Sequence, residues 1–358
     1  MTRRRVAVVM PPATDLNGSA ALELWPTFTK ALEALMAAGH IDPAGYCRTT
    51  GEPEVIERNG VRYHFEPSDR RLAERIAERK PAVVHVHGLG FTRLLTAIRR
   101  SVDRDVPILL QHHGERPPRA IRSRLAQRLT RRMVDGYLFT GAAEQAAPFR
   151  RAGVINASAP VYEVLESASH LDEVTPVDRP ELGGSPCVLW VGRLIASKDP
   201  LCAVRALAAA RARGSRAQLH MLATDRSMEP EVHDLVESLG MGAYVHVHPQ
   251  VPHAEIAGWY DRADVYLSTS HHEGSNYSLI EALGFGCHPV VTDIPSHAAI
   301  VKELAGRFAI GDATTAGALI STPPIRPAPE IILYSREALS WGTIAEELGS
   351  IYQQSRRS

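Results

Sequence analysis

The sequence predicts an α/β protein built of two doubly wound, parallel-sheet domains that face a cleft. Three observations lead there. Short β-branched runs alternate with helical patterns along the whole length, the signature of parallel strands covered on both faces. The runs form two series, parted by a stretch rich in Pro, Gly and acid (171–186) that reads as a linker. The 358 residues are enough for two domains, each with its own core. The predicted boundaries are a first domain over 1–170, the linker 171–186, a second domain over 187–339, and a terminal helix 340–358 that packs back onto the first domain.

The elements follow in order. MTRRRVAVVMPP opens with basic residues and an apolar run, but five apolar residues before two prolines are too few for a signal peptide. Val6–Met10 therefore reads as the buried part of a first strand, 5–10. The loop PPATDLNGSA leads into a helix over 20–38. Further strands are expected at 82–88, 106–111, 136–140 and 161–166, with an Arg-rich helix over 116–132 between the middle two. The second series comprises strands at 187–192, 217–222, 244–248, 264–269 and 288–293, with helices over 200–213, 229–239 and 276–285. A Pro-rich spacer then precedes an amphipathic helix, 337–354. No apolar run approaches membrane-spanning length.

Composition narrows the partners. Lys plus Arg equals Asp plus Glu, at 40 each, so no global charge argues for nucleic acid. Residues 1–175 nevertheless carry about 25 basic against 20 acidic groups, which concentrates the basic surplus in the first half. Cys47, Cys187, Cys202 and Cys287 are scattered and read as buried, reduced thiols of a cytoplasmic protein. The 16 histidines include two adjacent pairs, yet no Cys/His spacing supports a metal site, and none is expected.

Two constellations carry chemistry. In SHHEGSNYSLIEALGFGCHPVV, Glu273 precedes a helix and Glu281 lies in its first turns. Bare N–H groups at a helix start attract phosphate. A carboxylate beside them suits hydroxyls instead, such as those of a ribose or sugar ring. A sugar nucleotide offers both groups. In GRLIASK, Gly192 ends a strand and Arg193 and Lys198 follow, a fork and a point charge suited to a diphosphate.

These stretches resemble the retaining glycosyltransferases of family 4, the group 1 class with the GT-B fold. The matching residues are V-G-R-L-x-x-x-K at 191–198, A-D-V-Y-L-S-T-S at 263–270, E-G-x-x-x-x-L-I-E-A at 273–282 and G-C-H-P-V-V at 286–291, with the closing helix from Ser340. The resemblance is dense over about 185–305 and thinner before. It implies that Arg193 and Lys198 bind the donor diphosphate, Glu281 takes the ribose hydroxyls and Glu273 contacts the transferred sugar. Gly274 belongs to the same loop, and the backbone N–H groups of Ser275, Asn276, Tyr277 and Ser278 would cradle the diphosphate. Many members have Phe-Gly where this chain has Ser275-Asn276, and the polar pair could add a side-chain contact to phosphate or sugar.

In the first half, Gln111-His112-His113-Gly114 follows a strand. The family carries a histidine here near the donor sugar; His113 is the closest match and His112 its neighbour. Such a residue could hydrogen-bond a hydroxyl or steady a cationic transition state through its carbonyl. His85 and His87 are read as alternating across their strand, so that only one faces the cleft, with His87 favoured beside Gly88. Gly18 is a partial match to a Gly-rich loop that approaches donor phosphate; a plain connection capped by Asn17 or Ser19 is the other reading. Where members show P-N-G-V-D, this chain has Glu166-Ser167-Ala168-Ser169, which makes Glu166 a candidate for an acceptor or hinge role. His87, His112 and Glu166 are thus the acceptor-side candidates.

The resemblance implies a retaining transfer from a nucleotide-diphosphate sugar, with UDP as the favoured nucleotide, by front-face attack. The donor is a substrate, and no cofactor is expected. The acceptor is unidentified, with a small molecule favoured and nucleic acid not expected. A GT-B epimerase or phosphorylase, or a non-catalytic sugar-nucleotide-binding protein, would keep the same donor residues. The Arg-rich helix reads as a solvated face packed on a sheet through Ile121, Leu125, Leu129 and Met133. Peripheral contact with anionic lipid is its secondary reading, and contact with an acidic acceptor or partner the third.

Overall fold

The computed structural model describes residues 3–24, 26–168, 180–252, 255–304, 306–322 and 328–355. Most of the predicted linker, 171–179, lies outside the described residues. The chain divides into two compact units, Met1–Glu166 with Trp341–Ser358, and Ser167–Ser340.

The first unit is built on eight strands: β1 (Arg4–Val9), β2 (Ile41–Arg48), β3 (Glu54–Arg58), β4 (Val61–Glu66), β5 (Val83–His87), β6 (Ile108–Gln111), β7 (Gly136–Phe139) and β8 (Val161–Glu163). Their order is β3-β4-β2-β1-β5-β6-β7-β8, and every pair is parallel except β3 with β4. The direction of winding reverses between β1 and β5, which makes the carboxyl ends of those strands the natural ligand position. Ala7, Val9, Val84, Val86, Ile108, Leu110, Tyr137 and Phe139 form one buried layer with Leu72, Ile76, Leu95 and Ile98 from the helices Asp69–Glu78 and Thr92–Ser101.

Strands β2, β3 and β4 were not expected from the sequence. In β2, Pro43 and Gly45 break the apolar pattern of a buried strand. The β3–β4 hairpin is polar on its exposed face and closes over Asn59 and Gly60, both at positive φ (50° and 78°). The expected helix 20–38 is two helices, Gly18–Leu24 and Pro26–Ala37. Pro26 cannot continue a helix but can begin one. The tail likewise divides into Pro329–Ala338 and a C-terminal helix, Trp341–Gln354. The C-terminal helix packs on Pro26–Ala37 and buries Ile344, Leu348, Ile351 and Tyr352. The Arg-rich helix spans only Ile121–Thr130, followed by a 3-10 turn, Arg131–Met133, because Pro117 and Pro118 hold the preceding residues extended.

The second unit has six parallel strands: β9 (Cys187–Gly192), β10 (Gln218–Ala223), β11 (Val245–His248), β12 (Val265–Ser268), β13 (His288–Thr292) and β14 (Gly306–Phe308). Their order is β11-β10-β9-β12-β13-β14, so the winding reverses between β9 and β12. The helix Pro200–Ala212 lies against Ala313–Ser321, where Gly317 permits the approach: a Cβ there would stand 2.6 Å from the Ala209 Cβ. No helix among the described residues is long and apolar enough to cross a membrane.

Candidate active site

The donor-side residues gather at the β9/β12 switch point of the second unit. Because β9 and β12 are neighbours, the turn after Gly192 and the loop after Ser268 leave the sheet side by side. They are stitched together by backbone and hydroxyl. The Thr269 hydroxyl lies 2.8 Å from the carbonyls of both Lys198 and Asp199. The His271 amide donates to the Ser197 carbonyl at 2.8 Å, and the Trp190 indole donates to Thr269 Oγ1 at 3.2 Å. Asp199, at φ 46°, caps the helix Pro200–Ala212 through the Cys202 amide and meets the His271 ring at 2.9 Å. This rigid seam carries Lys198 to Glu273. Lys198 Nζ donates to Glu273 Oε1, which also accepts from the Ser270 hydroxyl at 2.6 Å. Arg193 stands exposed at the end of β9.

The helix Tyr277–Gly284 opens directly after this pair, and Asn276 sets its start. Asn276 is buried at φ 28°, and its Oδ1 accepts from the Leu279 amide and the Tyr266 hydroxyl, both at 3.3 Å. Its Nδ2 donates to His297 Nε2 at 2.9 Å and to Ser268 Oγ at 3.3 Å. Asparagine tolerates this backbone region better than other residues bearing a Cβ, which explains how it stands where many members have glycine. The side-chain contact to phosphate or sugar that the sequence suggested is not what the structure shows: the amide points inward and is used up in the core. His297, which the sequence did not single out, locks it. Its Nδ1 donates to the Thr292 carbonyl at 2.9 Å, and burial lowers its pKa to about 4.

Glu281 lies in the second turn of that helix, 4% exposed, and accepts from the Tyr260 hydroxyl at 2.9 Å. Burial, then the Glu281 carboxylate, raise the pKa of Tyr260, so its proton stays available to that hydrogen bond. Gly274 and Ser275 are buried, Ser278 is half-buried and Tyr277 is exposed at the helix start.

The first unit assembles a chain of polar side chains from four separate stretches. The Tyr352 hydroxyl of the C-terminal helix lies 2.8 Å from His85 Nδ1. The His85 and His87 rings are 4.5 Å apart, and His87 Nδ1 lies 2.8 Å from His113 Nε2. His113 Nδ1 meets Glu166 Oε1 at 3.2 Å, and Gln111 Nε2 donates to the same oxygen at 2.7 Å. The two β5 histidines therefore share a face, contrary to the reading that only one could. Residues two apart on a strand point the same way, and neighbours alternate. Burial pushes the pKa of His85 down to about 3 and that of His87 well below the usual range, so both are neutral at pH 7.

The adjacent histidines separate cleanly. His112 is 1% exposed, stacked on Phe139 at 4.8 Å and edge-on to Phe149, with Nε2 at 2.9 Å from the Glu115 carbonyl. It is a core residue here. His113 is half-buried and joins the polar chain, with both ring nitrogens engaged. Gly18 is accounted for by packing. Its amide donates to Glu54 Oε2 at 3.1 Å, and a Cβ would fall 2.7 Å from Phe65. A carboxylate on that amide is a poor neighbour for donor phosphate, and Asn17 caps the helix through the Ala20 amide at 2.9 Å. A cavity of about 280 Å³ lies at the carboxyl ends of β1, β2 and β5, lined by Pro12, Arg48, Asp69, Phe91, Thr92 and Arg93. Nothing in the sequence marked it, because its residues come from four distant segments. Among the described residues no group of three or more His, Cys, Asp or Glu could hold a metal ion.

Comparison with known proteins bears on both units. Residues 185–321 match the family of glycosyl transferases group 1. The D-inositol 3-phosphate glycosyltransferase of Arthrobacter sp. (strain FB24) is 27% identical over 312 residues, spanning 75% of this chain and 73% of that protein. Sucrose-phosphate synthase from Thermosynechococcus elongatus superposes with a TM-score of 0.66 at 18% identity, over 98% of this chain and 99% of that one. The E. coli trehalose-6-phosphate structure bound with UDP-2-fluoro glucose gives 0.71 at 13% identity, over 99% and 100%. At such identities the structural likeness speaks to the fold, which is the GT-B architecture of two Rossmann-like parallel-sheet domains.

Proposed function

The chain is a GT-B-fold glycosyltransferase related to the group 1 nucleotide-sugar transferases, and we propose that it transfers a sugar from a nucleoside-diphosphate donor to an acceptor hydroxyl with retention at the anomeric carbon. The observation that carries the reading is the grouping of Arg193, the Lys198–Glu273 pair and the head of the helix Tyr277–Gly284 at one switch point. Two cations and a helix start suit a diphosphate; Glu273 and Glu281 suit hydroxyls on either side of it. UDP is the favoured nucleotide, in keeping with the UDP-sugar analogue held by the E. coli structure.

In this reading Arg193 and Lys198 stabilise the negative charge that grows on the diphosphate as the glycosidic C–O bond breaks. The acceptor oxygen attacks from the face the diphosphate leaves, and its proton passes to a donor phosphate oxygen. Glu273 positions the sugar. Glu281, held by Tyr260, receives ribose hydroxyls. His113 contributes through its carbonyl rather than its ring, since His87 and Glu166 already engage both ring nitrogens. Retention rests on the family resemblance.

A thermal-shift series against UDP-, GDP-, ADP- and dTDP-sugars identifies the donor, because a ligand bound to the native state raises Tm. With that donor, Lys198→Ala should lower turnover by about 100- to 1,000-fold. Near-normal transfer in this variant contradicts the diphosphate role. A product of inverted anomeric configuration by proton NMR contradicts retention.

A further inference from the structure

The helix Ile121–Thr130 is turned inside out. Ile121, Leu125 and Leu129 recur every four residues, so they form one stripe along it, about 12 Å long. That stripe faces solvent: the three side chains are 84%, 56% and 70% exposed. The face turned to the protein is small or polar. Thr130 is buried, Ala126 is half-buried, and Gln127 Nε2 donates to the Leu89 carbonyl at 3.3 Å. Only Met133, beyond the helix, packs on the core. The expectation that this stripe packs on the sheet is thus reversed, and it calls for a partner.

Charge says what kind. From 116 to 134 the chain carries seven arginines and no acid. Arg128 and Arg131 are tied to the Ala152 and Gly153 carbonyls. Arg116, Arg119, Arg122, Arg124 and Arg132 are exposed around the stripe. The two bracketing acids are turned to other work. Glu115 accepts from the Leu89 and His113 amides at 2.8 and 2.6 Å, and Asp135 accepts from the Ile108 amide at 2.9 Å. An apolar ridge inside a cationic ring fits the boundary of an anionic bilayer, where the ridge enters the acyl edge and the guanidinium groups meet lipid phosphates. A second copy of this helix would set arginines against arginines. Nucleic acid would satisfy the charge and leave the ridge in water.

We propose that the helix Ile121–Thr130, with its flanking arginines, docks the protein on an anionic lipid surface. Seven residues, 114–120, join His113 to this helix within the same unit. Docking would therefore bring the unit that holds the candidate acceptor-side residues onto the membrane. The proposal stands apart from the donor reading, since none of its residues belongs to the donor site.

The test is co-sedimentation of the full chain with vesicles of phosphatidylcholine alone or with about 30% phosphatidylglycerol, at low and high salt. The expected result is binding to the anionic vesicles that weakens as salt rises. Ile121→Ser/Leu125→Ser/Leu129→Ser should lower the partition on the order of 100-fold. Arg122→Glu/Arg124→Glu should lower it by at least about tenfold and flatten the salt dependence. All five side chains are exposed, so both variants should keep the parental Tm and the parental turnover with a soluble acceptor. Equal binding to neutral vesicles, or no binding to anionic ones, overturns the proposal. So does a concentration-dependent dimer, or retention on DNA, that the triple serine variant abolishes while vesicle binding is absent.

Discussion

Replacing Glu273 by glutamine should tighten the binding of nucleoside diphosphate while it destroys transfer. Without ligand, Lys198 is already neutralised: its ammonium donates to Glu273 Oε1, with the two side chains only 19% and 11% exposed. A diphosphate that recruits Lys198 must compete with that carboxylate and also approach its negative charge. Two unit charges about 4 Å apart interact by about 4 kcal/mol at an effective dielectric constant near 20. Residual exposure and the hydrogen bond that glutamine still offers reduce the net change to about 1–2 kcal/mol, or roughly 5- to 30-fold in Kd. The Ser270 hydroxyl can donate to the amide oxygen as it does to the carboxylate, so the loop should hold its shape. The measurement is calorimetric titration of parent and variant with the nucleoside diphosphate of the donor that gives the largest thermal shift. Alongside it, turnover of the sugar nucleotide should fall by about 100-fold or more, because the charged contact to the moving sugar is lost. A nucleoside diphosphate that binds the variant equally or more weakly refutes the idea that Lys198 is the shared partner of Glu273 and diphosphate.

Further predictions concern the supports of the site. Asn276→Ala should destabilise the second unit by about 2–3 kcal/mol, because it removes the cap and puts alanine at positive φ. Asn276→Gly should cost about 1–2 kcal/mol, since it relieves the backbone but leaves Tyr266 and His297 short of a partner; equal losses by urea titration would argue against a special backbone role. His112→Ala should lower stability by about 2–4 kcal/mol through the cavity left between Phe139 and Phe149, whereas His113→Ala, which loses a half-buried ring but keeps the carbonyl, should cost only about 1 kcal/mol and leave turnover within about tenfold; a larger loss of stability in His113→Ala than in His112→Ala would exchange their roles. Acid should weaken both units. His85 and His297 are buried, with pKa values lowered to about 3 and about 4, so the unfolded chain takes up protons first as pH falls below 6.5. Each therefore contributes stability that is complete above that pH and declines by about 2 kcal/mol by pH 5; a Tm that is flat from pH 7 to 5 would contradict it.

The candidate donor site was legible in the sequence as a cluster because each of its parts is local. Gly192, Arg193 and Lys198 follow one strand, and Glu273 to Glu281 run from one loop into one helix. Only the adjacency of β9 and β12 is needed to bring the two together. What escaped is what burial decides. Asn276 reads as a polar residue in a binding loop, yet its amide is held by Tyr266 and Ser268 of β12 and by His297 of the helix Pro295–Val301. The first unit shows the opposite arrangement. Its polar chain draws Tyr352, His85, His113 and Glu166 from four separate stretches, with His85 and Tyr352 267 residues apart, and no spacing announces such a set. Some signals were present and were passed over or misread. Asn59-Gly60 between alternating runs is a hairpin mark, and the spacing of His85 and His87 already places them on one face.

The Arg-rich helix shows where local pattern stops being enough. The spacing of Ile121, Leu125 and Leu129 defines a stripe but carries no information about which way the stripe turns. That is decided by the opposite face, where Gln127 finds the Leu89 carbonyl and Arg128 the carbonyl of Ala152. Those hydrogen bonds seat a polar face against the unit and leave the apolar one in water. In a chain with no net charge, a surface of this kind is the strongest statement about where the protein works. Its arginines lie in the unit that carries the candidate acceptor-side residues, while the candidate donor residues lie in the other unit. The donor is thus specified by chemistry within a few residues of two strand ends. The acceptor is specified by surfaces that exist only once the first unit has folded, and lipid docking through the helix Ile121–Thr130 of that unit would narrow the search to hydroxyls presented at a membrane.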